Sequence, residues 1–128
     1  MAIHKFPKSE RLCSKKRIEQ LFAGGNRSLS AYPLRVIYRE LENDSTLVFV
    51  LISVSKRRFK HAIDRNRTKR LIREAYRQNK QILTEQLTDK SLDIAFIWMS
   101  DERSDFASVK LRVKNLLQRI GEMENIRK

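Results

Sequence analysis

The chain has 128 residues, 41% of them hydrophobic, which is enough for one modest core in a single domain and too little for two. Its 28 Lys and Arg outnumber 15 Asp and Glu, a formal charge of +13 that favours a polyanionic partner, nucleic acid before an anionic membrane surface. A single cysteine, Cys13, excludes an intramolecular disulfide, and no apolar run reaches signal-peptide or membrane-spanning length, so a cytoplasmic protein is expected.

Met1 to Arg11 is polar and interrupted by Pro7, and is expected to be loosely ordered. Ser14 is placed to cap a short helix in which Ile18, Leu21 and Phe22 recur at helical spacing before Gly24-Gly25 stops it. Pro33 to Leu41 alternates as a strand does, with Leu34, Val36 and Tyr38 on one face and Arg35, Ile37 and Arg39 on the other. Glu42 to Ser45 reads as a turn and Thr46 to Ser55, rich in Val, Leu, Ile and Phe, as a second strand, so a hairpin is predicted between the two.

Ala62 to Lys80 has helical periodicity, with Leu71, Ile72, Ala75 and Tyr76 on one stripe. Leu92 to Met99 reads as a third strand, with Phe96 assigned to packing. Ser104 is placed to cap a last helix whose Phe106, Val109, Val113, Leu116, Leu117 and Ile120 form an apolar seam. The tail from Glu122 to Lys128 alternates charge without an apolar face and is expected to fray. The order is helix, strand, strand, helix, strand, helix. It predicts an α+β two-layer sandwich, a small mixed sheet with the helices packed on one face.

The cations concentrate between Lys56 and Lys80, where only Asp64 and Glu74 oppose eleven Lys and Arg. At 100° per residue Asn66, Arg67, Arg70, Arg73 and Arg77 fall opposite the apolar stripe, with Lys69 at the flank. One face of this helix docks and the other presents guanidinium groups, whose planar fork suits two phosphate oxygens or an unpaired base. Lys56-Arg57-Arg58 leads into the helix N-terminus, where free amides also favour phosphate. A solvated helix face is the ordinary alternative for a charge run, but the sequence offers this face few acids for i,i+4 pairing. Composition and periodicity leave DNA and RNA both open.

No catalytic constellation stands out. Glu40, Glu42 and Asp44, Asp89 and Asp93, and Asp101, Glu102 and Asp105 lack metal-ligand spacing and read as solvated turn or helix-start residues. His4 and His61 have no partner in sequence. There is no phosphate loop, zinc motif or Gly-flanked serine.

The stretch Ser53 to Tyr76, SVSKRRFKHAIDRNRTKRLIREAY, resembles the signature of the protein subunit of bacterial ribonuclease P, in Arg65-Asn66-Arg67, Lys69-Arg70 and Arg73-Glu74. Phe6-Pro7, Arg11-Leu12 and Phe22 are similar too, and the resemblance extends over nearly the whole chain. It implies an RNA-based endonuclease in which a large catalytic RNA, with bound magnesium, removes the 5′ leader of precursor tRNA while the protein assists and holds no cofactor. It also implies a fold like the second domain of ribosomal protein S5, with a left-handed βαβ crossover, working as a monomer within the complex. By position, Arg57, Arg58, Lys60, Arg65, Asn66, Arg67, Lys69, Arg70 and Arg73 are expected to contact the catalytic RNA. Arg11, Ile18, Phe22, Val36, Tyr38 and Lys56 are expected to line a cleft for the leader, Ile18 standing where the family commonly has phenylalanine. Two other classes remain open on the residues alone: a structural RNA-binding protein, which needs no leader cleft, and a nuclease that works without RNA.

Overall fold

In the computed structural model, residues 8–42, 47–87 and 90–126 are described. Phe6-Pro7, the turn residues from Asn43 to Ser45, and Asp89 lie outside them. A short 3-10 turn, Lys8–Glu10, leads into α1 (Lys15–Phe22), β1 (Arg27–Ala31), β2 (Leu34–Glu42), β3 (Val48–Ser53), α2 (Ala62–Thr84), β4 (Lys90–Trp98) and α3 (Phe106–Ile126). Ser14 caps α1 as expected, accepting from the Arg17 amide at 3.4 Å. Gly24 and Gly25 end it at φ +98° and +78°, a region that only glycine enters cheaply. The cap of α3 is Asp105 instead of Ser104: its Oδ1 accepts from the Ser108 amide at 2.9 Å, and these hydrogen bonds hold its carboxyl below the ordinary value.

The four strands are ordered β1-β2-β4-β3. β1 and β2 form an antiparallel hairpin across Tyr32-Pro33, β2 pairs antiparallel with β4, and β3 pairs parallel with β4. The predicted hairpin between the second and third strands is therefore absent, because β4 lies between them. Six consecutive residues of β4, Ser91 to Phe96, are buried, and a strand covered on both faces needs a neighbour on each side to satisfy its backbone. β1 was not anticipated. Its RSLSA sequence carries only Leu29 and Ala31 toward the core, the weak pattern of an edge strand.

The α+β class is as expected, but the helices do not all share one face. α2 and α3 cover one side, where Val36 and Tyr38 of β2, Val50 of β3, Ile94 and Phe96 of β4, Ile72 and Tyr76 of α2, and Val113 and Leu117 of α3 form the main core. α1 lies on the opposite side, where Leu21 packs on Ala95 with Leu12, and Ile18, Ile37, Phe49 and Leu51 complete a smaller cluster. Trp98 and Phe96 both belong to the main core.

Within the described residues, both terminal segments make contacts with the sheet. Arg11 bridges to Val50 on the free edge of β3, with the Leu12 amide donating to the Val50 carbonyl at 2.9 Å. α3 runs past Glu122 to Ile126, and Glu124 is buried with Arg27 and Lys90 as ion-pair partners from two strands. Those partners are distant in sequence, so the tail's charge alternation concealed its anchor.

Candidate nucleic-acid interface

α2 carries the basic face and is seated by the stripe read from its periodicity: Ile72, Ala75 and Tyr76 are buried, with Leu71 packed beside them. Opposite them Asn66, Arg67 and Arg70 are exposed, while Lys69 and Arg73 are half-buried at the flank. Among the described residues Lys69, Arg70 and Arg73 form no ion pair, and the buried Arg73 Nε has no hydrogen-bond partner. Burial, then the positive Arg11 and Arg70, pull the Arg73 guanidinium below its ordinary value. A site that disfavours its own cation in this way is stabilised by an incoming anion.

The eight cations and the asparagine predicted to meet RNA do not all stand alike. Arg65 donates to the carbonyls of Phe59 and Lys60, each at 3.0 Å, and so ties the loop before α2 to the helix. Arg67 donates to the Ser104 carbonyl at 3.3 Å. Arg58 is 3.4 Å from Asp101, an exposed pair contributing about 0–1 kcal/mol, weak enough for a phosphate to replace. Lys56, Arg57 and Lys60 are exposed on the loop. Arg77 departs from the predicted open face: Glu74, one turn back, accepts from its Nε at 2.9 Å and from its Nη2, and with Gln78 these contacts hold the Glu74 carboxyl down to about 2.

Two depressions bear on the site, and only the first adjoins this face. One, of about 210 Å³, lies between the N-terminal segment, the edge strand β3 and α2, and is lined by Arg11, Cys13, Ile52, Lys69 and Arg73. Arg11 therefore stands with the α2 cations and not in the cleft beside α1. The other, of about 430 Å³, lies between α1 and the open face of the sheet, lined by Leu21, Phe22, Gly24, Gly25, Asn26, Ser28, Arg35, Ile37 and Ile97. Phe22 is 44% exposed at its rim. The Arg35 Nε donates to Ser28 Oγ at 2.9 Å, which holds its guanidinium over the sheet. Lys56 leaves the sheet at the same end, since Ser53, the last residue of β3, pairs with Ile97.

Val36 and Tyr38 are not part of this cleft. Both are fully buried on the face turned to α2 and α3, and the Tyr38 hydroxyl donates to Met123 Sδ at 3.6 Å. Burial, with Glu124 adding to it, pushes the Tyr38 phenol up. Alternation along β2 puts their neighbours Arg35 and Ile37 on the open side instead. A shift of one residue exchanges the two faces of a strand, and the sequence alternation gave no sign of which face α1 would cover. Ile18 is half-buried in the small apolar cluster under α1, to which Ile37 also belongs, and it does not line this cleft.

The sequence also missed what seats α1. Asp93, expected to be solvated near a strand start, is fully buried in β4 and accepts from Arg17 on α1, with Nε to Oδ2 at 3.1 Å and a second hydrogen bond from Nη2 to Oδ1. Arg39 adds a hydrogen bond to Gln20 Oε1 at 2.7 Å. Among the described residues no three His, Cys, Asp or Glu side chains converge as metal ligands, and no helix is long and apolar enough to cross a membrane.

Comparison with known proteins shows which family has this sequence and fold. The family model of ribonuclease P matches residues 6–121. The ribonuclease P protein component of Porphyromonas gingivalis is 43% identical over 117 residues, covering 89% of this chain and 85% of that protein. That of Chlorobium phaeobacteroides is 35% identical over 137 residues, covering 98% and 90%. Among solved structures, the ribonuclease P protein of Thermotoga maritima superposes with a TM-score of 0.64 at 30% identity, over 86% of this chain and 96% of that one. The Staphylococcus aureus protein shares the fold at 17% identity and a TM-score of 0.62, over 88% and 96%. With its basic α2 face, its open cleft and a match from Phe6 to Gly121, the chain belongs to the ribonuclease P protein component family.

Proposed function

We propose that the exposed cations of α2 grip the catalytic RNA of ribonuclease P, while the cleft between α1 and the open sheet face receives the single-stranded 5′ leader of precursor tRNA. Ribonuclease P is an endoribonuclease of tRNA 5′ maturation, and a protein component of it works with the ribonuclease P RNA. The observation that carries the reading is that Lys69 and Arg73, at the rim of a depression, and the exposed Arg70 beside them on α2 lack acidic partners among the described residues. Guanidinium groups in that state gain most from phosphate, which supplies paired oxygen acceptors at short range.

The second half of the reading rests on the cleft. Its 430 Å³ admits a nucleobase, Phe22 offers an exposed aromatic surface for stacking, and Arg35 and Lys56 supply cations for the backbone. A structural RNA-binding protein has no need of such a cleft. Magnesium, in this reading, is held by the RNA and supplies the activated nucleophile there, and the protein contributes binding and orientation. The protein acts as a monomer within a cytoplasmic complex, a reading supported by a lone exposed Cys13 and by a sheet whose one free face is taken up by the cleft.

The test is reconstitution with the cognate catalytic RNA. Arg67→Glu with Arg70→Glu is expected to abolish stimulation of leader removal at low magnesium, and undiminished stimulation would refute the grip. Affinity of the assembled complex for precursor against mature tRNA tests the cleft separately: a preference for the precursor is expected, and indifference favours a purely structural role. Protein free of RNA is expected to cleave nothing.

A further inference from the structure

Asp93 is at odds with its surroundings. It is fully buried in the central strand, flanked in register by Arg39 on β2 and Phe49 on β3, yet Arg39 is engaged by Gln20. Its carboxylate is met by the fork of Arg17, whose guanidinium also lies 4.3 Å from the centre of the Phe49 ring. Aromatic stacking and two parallel hydrogen bonds together define the plane and the position of that group.

Helix and strand repeats match at this contact. Four residues of α-helix rise about 6 Å and two residues of strand about 6.6 Å. The pairings step together accordingly: Arg17 on Asp93, Leu21 against Ala95, and the Phe22 to Gly25 end of α1 beside a cavity that reaches Ile97. α1 thus lies along β4. An apolar stripe by itself tolerates a slide along the strand, because neighbouring positions offer Leu21 similar surface. A bidentate pair does not, since a slide leaves a buried carboxylate without its cation.

We propose that the Arg17–Asp93 pair is the positioning element of the leader cleft. It fixes where α1 stands along β4, hence where Phe22 stands relative to Ile37 and Arg35, and through that the preference for leader-bearing substrate. Arg17 acts through Phe22 and does not itself touch the RNA. The functional half of this inference rests on the leader-cleft reading, and the structural half rests on the geometry alone.

The test uses the reconstituted holoenzyme. Arg17→Met alone strands Asp93 and risks unfolding, so the informative variant is Arg17→Met with Asp93→Leu, which replaces the ion pair with apolar groups of similar size and keeps α1 attached. This double variant is expected to bind the catalytic RNA as the wild type does. Its preference for precursor over mature tRNA is expected to fall roughly tenfold, as a raised KM at unchanged kcat, the scale of loss that small misplacements produce. Nuclear Overhauser contacts between Phe22 and Ile37 are expected to move with it, and Arg17→Lys, which keeps the charge without the fork, to fall between. Wild-type preference and wild-type contacts in the double variant overturn the proposal, as does either change without the other. If the wild type itself does not distinguish precursor from mature tRNA, the leader reading fails, and the Phe22–Ile37 contacts alone decide: moved contacts uphold the positioning role and unmoved ones overturn it.

Discussion

On the side of the sheet that faces α2 and α3, Val36 and Tyr38 of β2 are wholly buried, whereas on the other side Arg35, Ile37 and Arg39 of the same strand remain half-exposed beneath α1. Two helices of 23 and 21 residues seal the first face, and one of 8 residues leaves the second partly uncovered. The sealed face is held by apolar packing. The open face is held by few apolar contacts and a small number of directional polar ones, Arg17 to Asp93, Arg39 to Gln20 and Arg35 to Ser28. Burial supplies stability without telling one sliding position from another, and directional bonds supply position at little net gain. A protein that must both fold and shape a cleft gains from keeping the two on opposite faces.

This division is open to a graded set of substitutions. The largest loss is expected from Phe96→Ala on the sealed face, about 3–5 kcal/mol by urea unfolding, because the deletion leaves a cavity among rigid neighbours that include Tyr76. A loss below about 1 kcal/mol would mean that the sealed face does not carry the fold. Val36→Ala and Ile37→Ala then form a direct contrast between adjacent residues. The first is expected to cost about 1.5–3 kcal/mol with precursor preference intact. The second is expected to cost about 1 kcal/mol while lowering that preference severalfold. The same functional loss from both would erase the distinction between the faces.

Arg70→Ala should leave stability within about 0.5 kcal/mol, yet weaken RNA binding and reduce the slope of log affinity against log salt by about one. An unchanged slope would remove Arg70 from the RNA contact. The smallest effect concerns Glu124, whose carboxyl is pushed up by burial, against the pull of Arg27 and with Glu40 adding to the push. A raised folded value means that the folded state holds the proton more tightly than the unfolded one. Stability from this group is therefore greatest below the ordinary value of 4.5, and declines as pH rises toward the raised value. Glu124→Gln is expected to flatten the stability–pH curve over that window, and an unaltered curve would contradict the burial.

Much of the fold was readable wherever one element decides its own pattern. The α2 stripe, the α3 seam, the Ser14 cap and the Gly24-Gly25 stop all rest on contacts within a few residues. What escaped depends on partners far apart in the chain. β1 takes its place from a hairpin of ordinary sequence, the β2–β3 pairing was displaced by a strand about fifty residues later, and Glu124 is anchored by residues 97 and 34 positions away. The site divides in the same way. Arg70 and Arg73 follow from helix geometry, but Val36 and Tyr38 were assigned to the cleft by the resemblance, and alternation offered no check because it identifies two faces without naming the one that stays open. Asp93 looked like a solvated strand-start acid because nothing local reveals that Arg17 lies above it.

The position of β4 in the sheet bears on how the chain is made. During synthesis β1, β2 and β3 emerge together with all of α2 before the strand that unites them, since Val48 pairs with Leu92 and Glu42 with Lys90. Joining partners so far apart in sequence is slow, because the intervening segment must be closed before any ladder is gained. A nascent chain that stops short of Lys90 therefore carries the full set of α2 cations with no sheet to orient them, and offers RNA a charge without a shape.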